Sequence, residues 1–338
     1  METKTPVIIF GANGFIGRYL CRYFARQGRE VVAVGRRRDG WSGDGMFLEW
    51  DGKTIGPWAL ALEGAGLVIN LAGRSVNCRY NEANRHEIME SRVAATRVIG
   101  EAIASCKVPP VVWMNAGTAT LYRHAEDQPQ DEWTGEPGEG FSVGVAQRWE
   151  QEFFAAKVAG RTRKLALRIG MVMANEPETV FDVLNGLVQR GLGGRMGSGR
   201  QRVSWIHMDD LLEIISRLEA DGFADGVYNL TAPHAPTNAE LMQRFREMLG
   251  MPLGLPSAKW MLELGALVMG TETELVLKSR WVKPGRLMAE GFRWRWPEMG
   301  SALFDLESRR GLEGFFHVPE RRAAGSKVWT TGKGLRTA

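Results

Sequence analysis

Four consecutive apolar residues, Val7-Ile8-Ile9-Phe10, run directly into Gly11-Ala12-Asn13-Gly14-Phe15-Ile16-Gly17, and an amphipathic segment then continues to Gln27 before Gly28. A continuous apolar run has the pattern of a central parallel strand covered on both faces. The three glycines each have a physical task. Gly11 allows the sharp turn out of the strand, Gly14 lets backbone approach a pyrophosphate, and Gly17 lets the helix pack closely on the sheet. The helix start offers unpaired N–H groups and a positive dipole end to phosphate. Strand, loop and helix agree in order and position, so the segment predicts a dinucleotide site built on Gly11, Asn13, Gly14, Phe15, Ile16 and Gly17.

The end of the second strand, Glu30–Val34, selects the dinucleotide. An Asp or Glu there would hold a ribose 2′-hydroxyl. This chain has Gly35-Arg36-Arg37-Arg38, with Asp39 only afterwards. Guanidinium groups suit a 2′-phosphate through charge-assisted, bidentate bonds. The expectation is therefore NADP(H), with Gly35, Arg36 and Arg37 on its adenosine side and no demand that all three arginines touch phosphate.

Further strands are expected at Met46–Trp50, Leu67–Leu71, Val111–Met114 and Lys164–Arg168. Helical patterns fall between them, one with Ile88, Ala95, Val98, Ala102 and Ile103 near one face and another at Phe141–Lys157. Residues 123–140 hold two prolines, three glycines and many acids and form a loop. The alternation implies an α/β fold, a Rossmann-type doubly wound parallel sheet with a smaller, mainly helical C-terminal substrate lobe. The expected boundaries are 1–178 and 204–230 for the NADP(H)-binding part, 179–203 and 231–318 for the lobe, and 319–338 for a basic tail. Val203–Ile206 and Val227–Leu230 look like strands returning to the sheet, and Phe292–Trp296 has a strand-like alternation.

The net charge of +4 would suggest nucleic acid, but its location argues against this. From Pro319 onward there are five cations and one anion, so the rest of the chain is neutral in sum. A solvated tail is the simpler reading, and no nucleic-acid partner is expected. Three cysteines without short spacing give neither a disulfide framework nor a zinc site, which fits a reducing, cytoplasmic setting. The first residues lack signal-peptide architecture. Trp260–Met269, interrupted by Glu263, is too short for a membrane span of about 20 apolar residues and is expected as a buried helix. Most of the twelve tryptophans should serve packing, with a few walling a pocket between the lobes.

Several blocks together carry a resemblance. The glycine spacing resembles the extended short-chain dehydrogenase/reductase superfamily. Val68-Ile69-Asn70-Leu71-Ala72-Gly73, Glu87-Ile88 with Ser91-Arg92-Val93 and Thr96, Gly191–Gly199, Ser204-Trp205-Ile206-His207 and Asn229-Leu230 are similar to the YfcH-like group, described as nucleoside-diphosphate-sugar epimerases. Lys278-Ser279-Arg280 through Pro284, Leu287 and Gly291-Phe292 resembles that group's C-terminal domain of unknown function. The resemblance implies that Leu71, Ala72 and Gly73 pass under the cofactor, that Glu87 and Arg92 contact it, and that Val172 lies near the nicotinamide. Without the family, Glu87 and Arg92 would read as a solvated pair. Asp51 is open between an adenine contact and a surface turn.

Most of the superfamily uses a Tyr and a Lys four residues apart on one helix, the Lys lowering the Tyr pKa as hydride moves. In Phe141–Glu150 the two slots hold Ser142 and Ala146, or Phe141 and Val145 after a one-residue slip. Phe141, Val145, Trp149 and Phe153 form an apolar stripe expected to face the core. Arg148 is either a surface cation or an anion clamp. Thr118 best matches the superfamily hydroxyl that binds a substrate oxygen. Tyr122 and His124 follow and either offers a proton, with a structural role for Tyr122 as the competing reading. His207 precedes Asp209-Asp210 at the expected edge of the lobe, and Cys78 is either a pocket residue or an inert buried thiol. No His, Asp or Glu cluster has metal-ligand spacing. These features imply an atypical NADP(H)-dependent oxidoreductase or epimerase acting on a small molecule, with a non-catalytic NADP(H) sensor or scaffold as the alternative. Monomer and homodimer both remain open.

Overall fold

The structure, a computed structural model, describes residues 5–38, 41, 43–158, 160–257 and 278–310. The expected helix at Trp260–Met269 and the basic tail 319–338 lie outside the described residues.

Seven strands form one parallel sheet. They are β1 (Val7–Phe10), β2 (Val31–Gly35), β3 (Met46–Glu49), β4 (Leu67–Asn70), β5 (Val112–Thr118), β6 (Arg163–Ile169) and, after two short strands, β9 (Gly226–Leu230). The order is β3-β2-β1-β4-β5-β6-β9. Connections run outward from β1 in both directions, so a crevice opens at the carboxyl ends of β1 and β4, where ligands sit in such sheets.

Side-chain alternation explains the two faces. Val7 and Ile9 join a core with Leu20 and Phe24 of α1 (Phe15–Arg26) and Leu211 and Ile215 of α5 (Met208–Ala220). Ile8 and Phe10 join the opposite core with Ile99 and Ile103 of α2 (Glu82–Ala104) and Phe153 of α3 (Phe141–Ala155). All four β1 residues are fully buried, and each such side chain contributes roughly 1.5–3 kcal/mol. A strand with this sequence is stable only between two helical layers.

The remaining elements are β7 (Met171–Met173), α4 (Val180–Gln189), β8 (Trp205–His207), α6 (Asn238–Met248), α7 (Gly285–Ala289) and α8 (Met299–Ser308). Two expectations need correction. The Val203–Ile206 strand does not return to the main sheet: its counterpart β8 pairs with β7 in a separate two-stranded sheet. Phe292–Trp296 is not a strand. The backbone N–H groups of Arg295 and Trp296 donate to the Asp210 carboxylate at 2.7 and 3.0 Å, and the Trp294 indole donates to the Thr231 carbonyl. The side chain of Asp210, at the start of α5, thus takes the bonds a neighbouring strand would have taken. A third core gathers Phe181, Val188, Trp205, Phe245, Leu303 and Leu306, and it builds the helical C-terminal part.

That part is tied down by charge. His207, wholly buried, faces Asp305 of α8 at 3.3 Å, and one Arg309 nitrogen lies 2.7 Å from both Asp209 and Asp305. Sequence spacing gave no hint of this cluster, because Asp305 is remote in sequence from His207 and Asp209. The guanidinium is the cation between the two carboxylates. Burial pushes the Asp305 carboxyl up, but His207 and Arg309 outweigh it and hold it below the ordinary value. A depressed folded pKa means that the stability Asp305 lends is complete above about pH 3.9 and is lost as pH falls further. Thermal scans from pH 7 to 2 should therefore show a steeper acid loss in the native protein than in Asp305→Asn; parallel curves would contradict this role.

Candidate functional site

A cavity of about 510 Å³ occupies the crevice. One wall is the glycine loop and the start of α1: Gly11, Gly14, Phe15, Ile16 and Gly17. Gly11 has φ +76°, a region that favours glycine, and a Cβ there would lie 2.9 Å from the Leu71 carbonyl. A Cβ on Gly17 would lie 2.4 Å from the Gly11 oxygen. No side chain caps α1 at Gly14, so its first N–H groups face the cavity uncovered. Asn13 is on the outside of this loop. Its amide donates to the Arg37 carbonyl at 3.2 Å, and a Cβ on Gly35 would collide with its oxygen. Gly35 is thus required by the clasp between the loop and the end of β2. Arg36 and Arg37 are exposed beyond that clasp, and neither has a carboxylate partner among the described residues.

The floor comes from β4, β5 and α2. Leu71 and Gly73 line the cavity, whereas Ala72 turns its N–H to the Asn70 side chain at 3.0 Å. Beneath lies a buried polar knot: the Asn70 amide donates to Asn115 at 2.7 Å and Thr96 at 3.2 Å, and the Trp149 indole donates to Thr96 at 2.9 Å. Arg92 lines the cavity with its guanidinium over the Trp149 ring at 5.2 Å, and it donates to the Ile88 carbonyl. No described carboxylate pairs with it, and burial pushes its pKa down to about 10. A cation so placed invites an anionic or polar group of a ligand. Glu87 is 62% exposed, does not line the cavity, and is ion-paired to Arg74, which does.

The far wall is α3 and the ends of β5 and β6. Thr118 lines the cavity; its oxygen accepts from the Thr120 N–H at 3.1 Å, which leaves the hydroxyl proton for a ligand. Val172, Gly170 and Ile169 close the side beyond. The α3 stripe has two duties. Phe153 packs in the core as expected, but Phe141, Val145 and Trp149 also wall the cavity, joined by Ser142. Ala146 turns away to pack with Leu121 and Tyr122. Helix α3 contains neither Tyr nor Lys.

Other expected residues lie elsewhere. Tyr122 is buried away from the cavity, donating to Asn229 at 3.0 Å and accepting from Arg168 at 2.7 Å. Arg168 also grips Glu150 of α3 through two 2.8 Å bonds. Tyr122 is therefore held in structural bonds, the competing reading of it. The His124 ring nitrogen accepts from the Ser279 N–H, Arg148 is exposed, and His207 is in the Asp305 cluster. Cys78 does not line the cavity. Asp51 closes a surface turn through Lys53 and Thr54. Arg74, Ser75, Val76 and Tyr80 line the cavity and were not anticipated. The loop has no periodic pattern, and its only signal is its place directly after a strand that ends at the crevice.

The NAD dependent epimerase/dehydratase family matches residues 7–231, and a domain of unknown function, DUF1731, matches residues 258–306. The human epimerase family protein SDR39U1 is 30% identical over 307 residues, covering 89% of this chain and 99% of its own. The epimerase family protein YfhF of Bacillus subtilis is 25% identical over 305 residues, covering 90% and 98% respectively. The crystal structure of human SDR39U1 (isoform 2) with NADPH superposes with a TM-score of 0.78 at 29% identity, covering 90% of this chain and 99% of that one. Among the described residues, no helix is long and apolar enough to cross a membrane.

Proposed function

This chain belongs to the NAD-dependent epimerase/dehydratase family, and from that premise we propose that it is an NADP(H)-dependent oxidoreductase or epimerase acting on a carbonyl or hydroxyl carbon of a small molecule. One observation carries the reading: a glycine loop, closed to a Cβ at Gly11 and Gly17, opens beside an uncapped helix start into a cavity that also holds Thr118 and a desolvated Arg92. The residues fit a dinucleotide. Gly11, Gly14 and Gly17 would pass its pyrophosphate, and Leu71, Gly73 and Val172 would border its reactive end. When bound, NADPH supplies a hydride.

The finer choice of NADP(H) rests on Arg36 and Arg37, exposed at the end of β2 without carboxylate partners among the described residues, and on the NADPH named in the human relative's structure. Arg36→Ala should lower the NADPH over NADH affinity ratio by roughly tenfold, about 1.4 kcal/mol, measured by fluorescence titration. An unchanged ratio would remove Arg36 from the account.

Within the cavity, the Thr118 hydroxyl would hold the substrate oxygen and the apolar wall of Phe141, Val145 and Trp149 would exclude water. The decisive experiment screens NADPH oxidation and NADP+ reduction against aldehydes, ketones, enones and sugar nucleotides at several pH values. Turnover supports the enzyme. Tight NADPH binding with no turnover across the panel supports instead a sensor or scaffold, the reading favoured by an α3 without Tyr or Lys.

A further inference from the structure

We propose that Tyr80 is the proton donor of this site and that Arg92 is the cation that works with it, so that the tyrosine–cation pair absent from α3 is rebuilt from the loop after β4 and from α2. The proposal rests on the oxidoreductase reading above and assigns its missing acid.

The geometry carries the inference. Tyr80 is the only phenol among the described residues lining the cavity; Tyr19, Tyr23, Tyr122 and Tyr228 are elsewhere. Its ring meets Phe141 edge-on at 5.0 Å, against the first turn of α3. That turn holds Phe141 and Ser142, the two registers of the slot in which the tyrosine of the usual pair would stand. Arg92 stands over Trp149, two turns further along α3 on the same face. The two groups therefore flank the same stripe of α3, from the cavity side. They also face each other electrostatically: a Tyr80 phenolate favours the Arg92 cation, which burial otherwise disfavours.

The backbone that carries the phenol is fixed rather than loose. Asn84 donates to the Arg79 carbonyl at 2.7 Å, Arg85 donates to the Tyr80 carbonyl at 2.8 Å, and Asn81 caps α2 through the Asn84 N–H. The Arg85 guanidinium also stacks on Phe141 at 5.2 Å. Three bonds thus bind the segment that carries Tyr80 to the first turn of α2, which is the preorganisation that proton transfer needs.

The step balances. As a substrate carbonyl carbon accepts the hydride pair from NADPH, its oxygen takes the Tyr80 proton: the phenol O–H bond breaks and the alcohol O–H bond forms. The phenolate, held by Arg92, regains a proton from water at the cavity mouth. In the reverse direction the Tyr80 phenolate would accept the alcohol proton as the carbon gives up its hydride, for which bound NADP+ would be the acceptor.

Two readouts test this on the full-length protein. Phenolate absorbance is titrated with pH for the NADP+-bound protein. Burial holds Tyr19, Tyr122 and Tyr228 above the ordinary range. The first step should have the amplitude of one tyrosine, vanish in Tyr80→Phe, and move up by a pH unit or more in Arg92→Gln. A first step that survives Tyr80→Phe overturns the pairing. With the best substrate from the carbonyl and sugar-nucleotide panel, Tyr80→Phe should lower kcat by roughly 100-fold or more while NADPH affinity stays within about twofold. A wild type that is active beside an equally active Tyr80→Phe sinks the donor role alone. Silence from the wild type sinks the oxidoreductase reading, and the donor role with it.

Discussion

Replacing Gly14 with valine should leave a folded protein that no longer holds its cofactor. Gly14 sits at φ −71° and ψ 165°, which any L-residue adopts, and its added Cβ would meet only the Gly11 oxygen, at 3.1 Å. It caps α1 without a side chain, so valine removes no bond, and the cost to the helix end is about 1 kcal/mol at most. The new methyl groups would stand on the cavity surface where the pyrophosphate must approach. NADPH affinity should fall by roughly 100-fold, about 2.7 kcal/mol, with the melting temperature nearly unchanged. Gly17→Val makes the opposite control. Its Cβ would lie 2.4 Å from the Gly11 oxygen and 2.8 Å from the Ala12 Cα, both backbone, so folding itself should suffer. Calorimetry and NADPH titration on the two variants separate the effects. Tight NADPH binding by Gly14→Val would mean that the cofactor does not cross this loop.

The second large effect lies behind the cavity. Arg168 and Glu150 are 14% and 12% exposed, joined by two bonds, and the same guanidinium reaches the Tyr122 hydroxyl. Arg168→Leu would strand a largely buried carboxylate and remove the donor to a buried phenol oxygen. Breaking one side of such a pair costs roughly 3–5 kcal/mol. At about 2–4 °C per kcal/mol for a domain of this size, the melting temperature should drop by roughly 6–20 °C. The double variant Arg168→Leu with Glu150→Leu should recover at least half of that loss, because no unpaired charge remains. A lone Arg168→Leu that melts within about 2 °C of the native protein would show that the pair is solvated in solution.

What was legible in the sequence follows from locality. The β1–Gly–α1 unit carries its strand, turn and helix start within Val7–Arg26, so every one of those features could be inferred from neighbouring residues. The same holds for the parallel sheet, whose apolar runs cannot be stable unless both faces are covered; Thr118 came from the resemblance, and β5 runs on past the expected Met114 to end with it at the crevice. Glu87 shows the converse: its contact with a cofactor was implied by the resemblance alone, and neighbouring residues could not show that the loop residue Arg74 pairs with it. Tyr80 and Arg74 were invisible because an irregular loop has no period, and only the fold shows that it curls over the cavity. Phe292–Trp296 alternates like a strand, yet the buried carboxylate of Asp210, remote in sequence, claims its N–H groups. The stripe on α3 was legible as apolar but not as two-sided, since hydrophobicity does not distinguish a core from the dry wall of a pocket.

The polar knot beneath the cavity has a consequence for how this lineage can change. Asn70 donates to Asn115 and Thr96 and accepts from the Ala72 N–H, while Thr96 also receives Trp149. An apolar replacement at Asn70, Thr96 or Asn115 takes a partner from at least two buried polar groups, and one at Trp149 takes a donor from Thr96. Descendants should therefore exchange these four residues as a block or not at all. The rim above them is less tightly bound: Ser75 accepts one exposed bond from the Asn77 N–H, and no side-chain hydrogen bond holds Val76 or Thr120 among the described residues. The lining of the cavity can wander over generations on a foundation that inheritance must pass on whole.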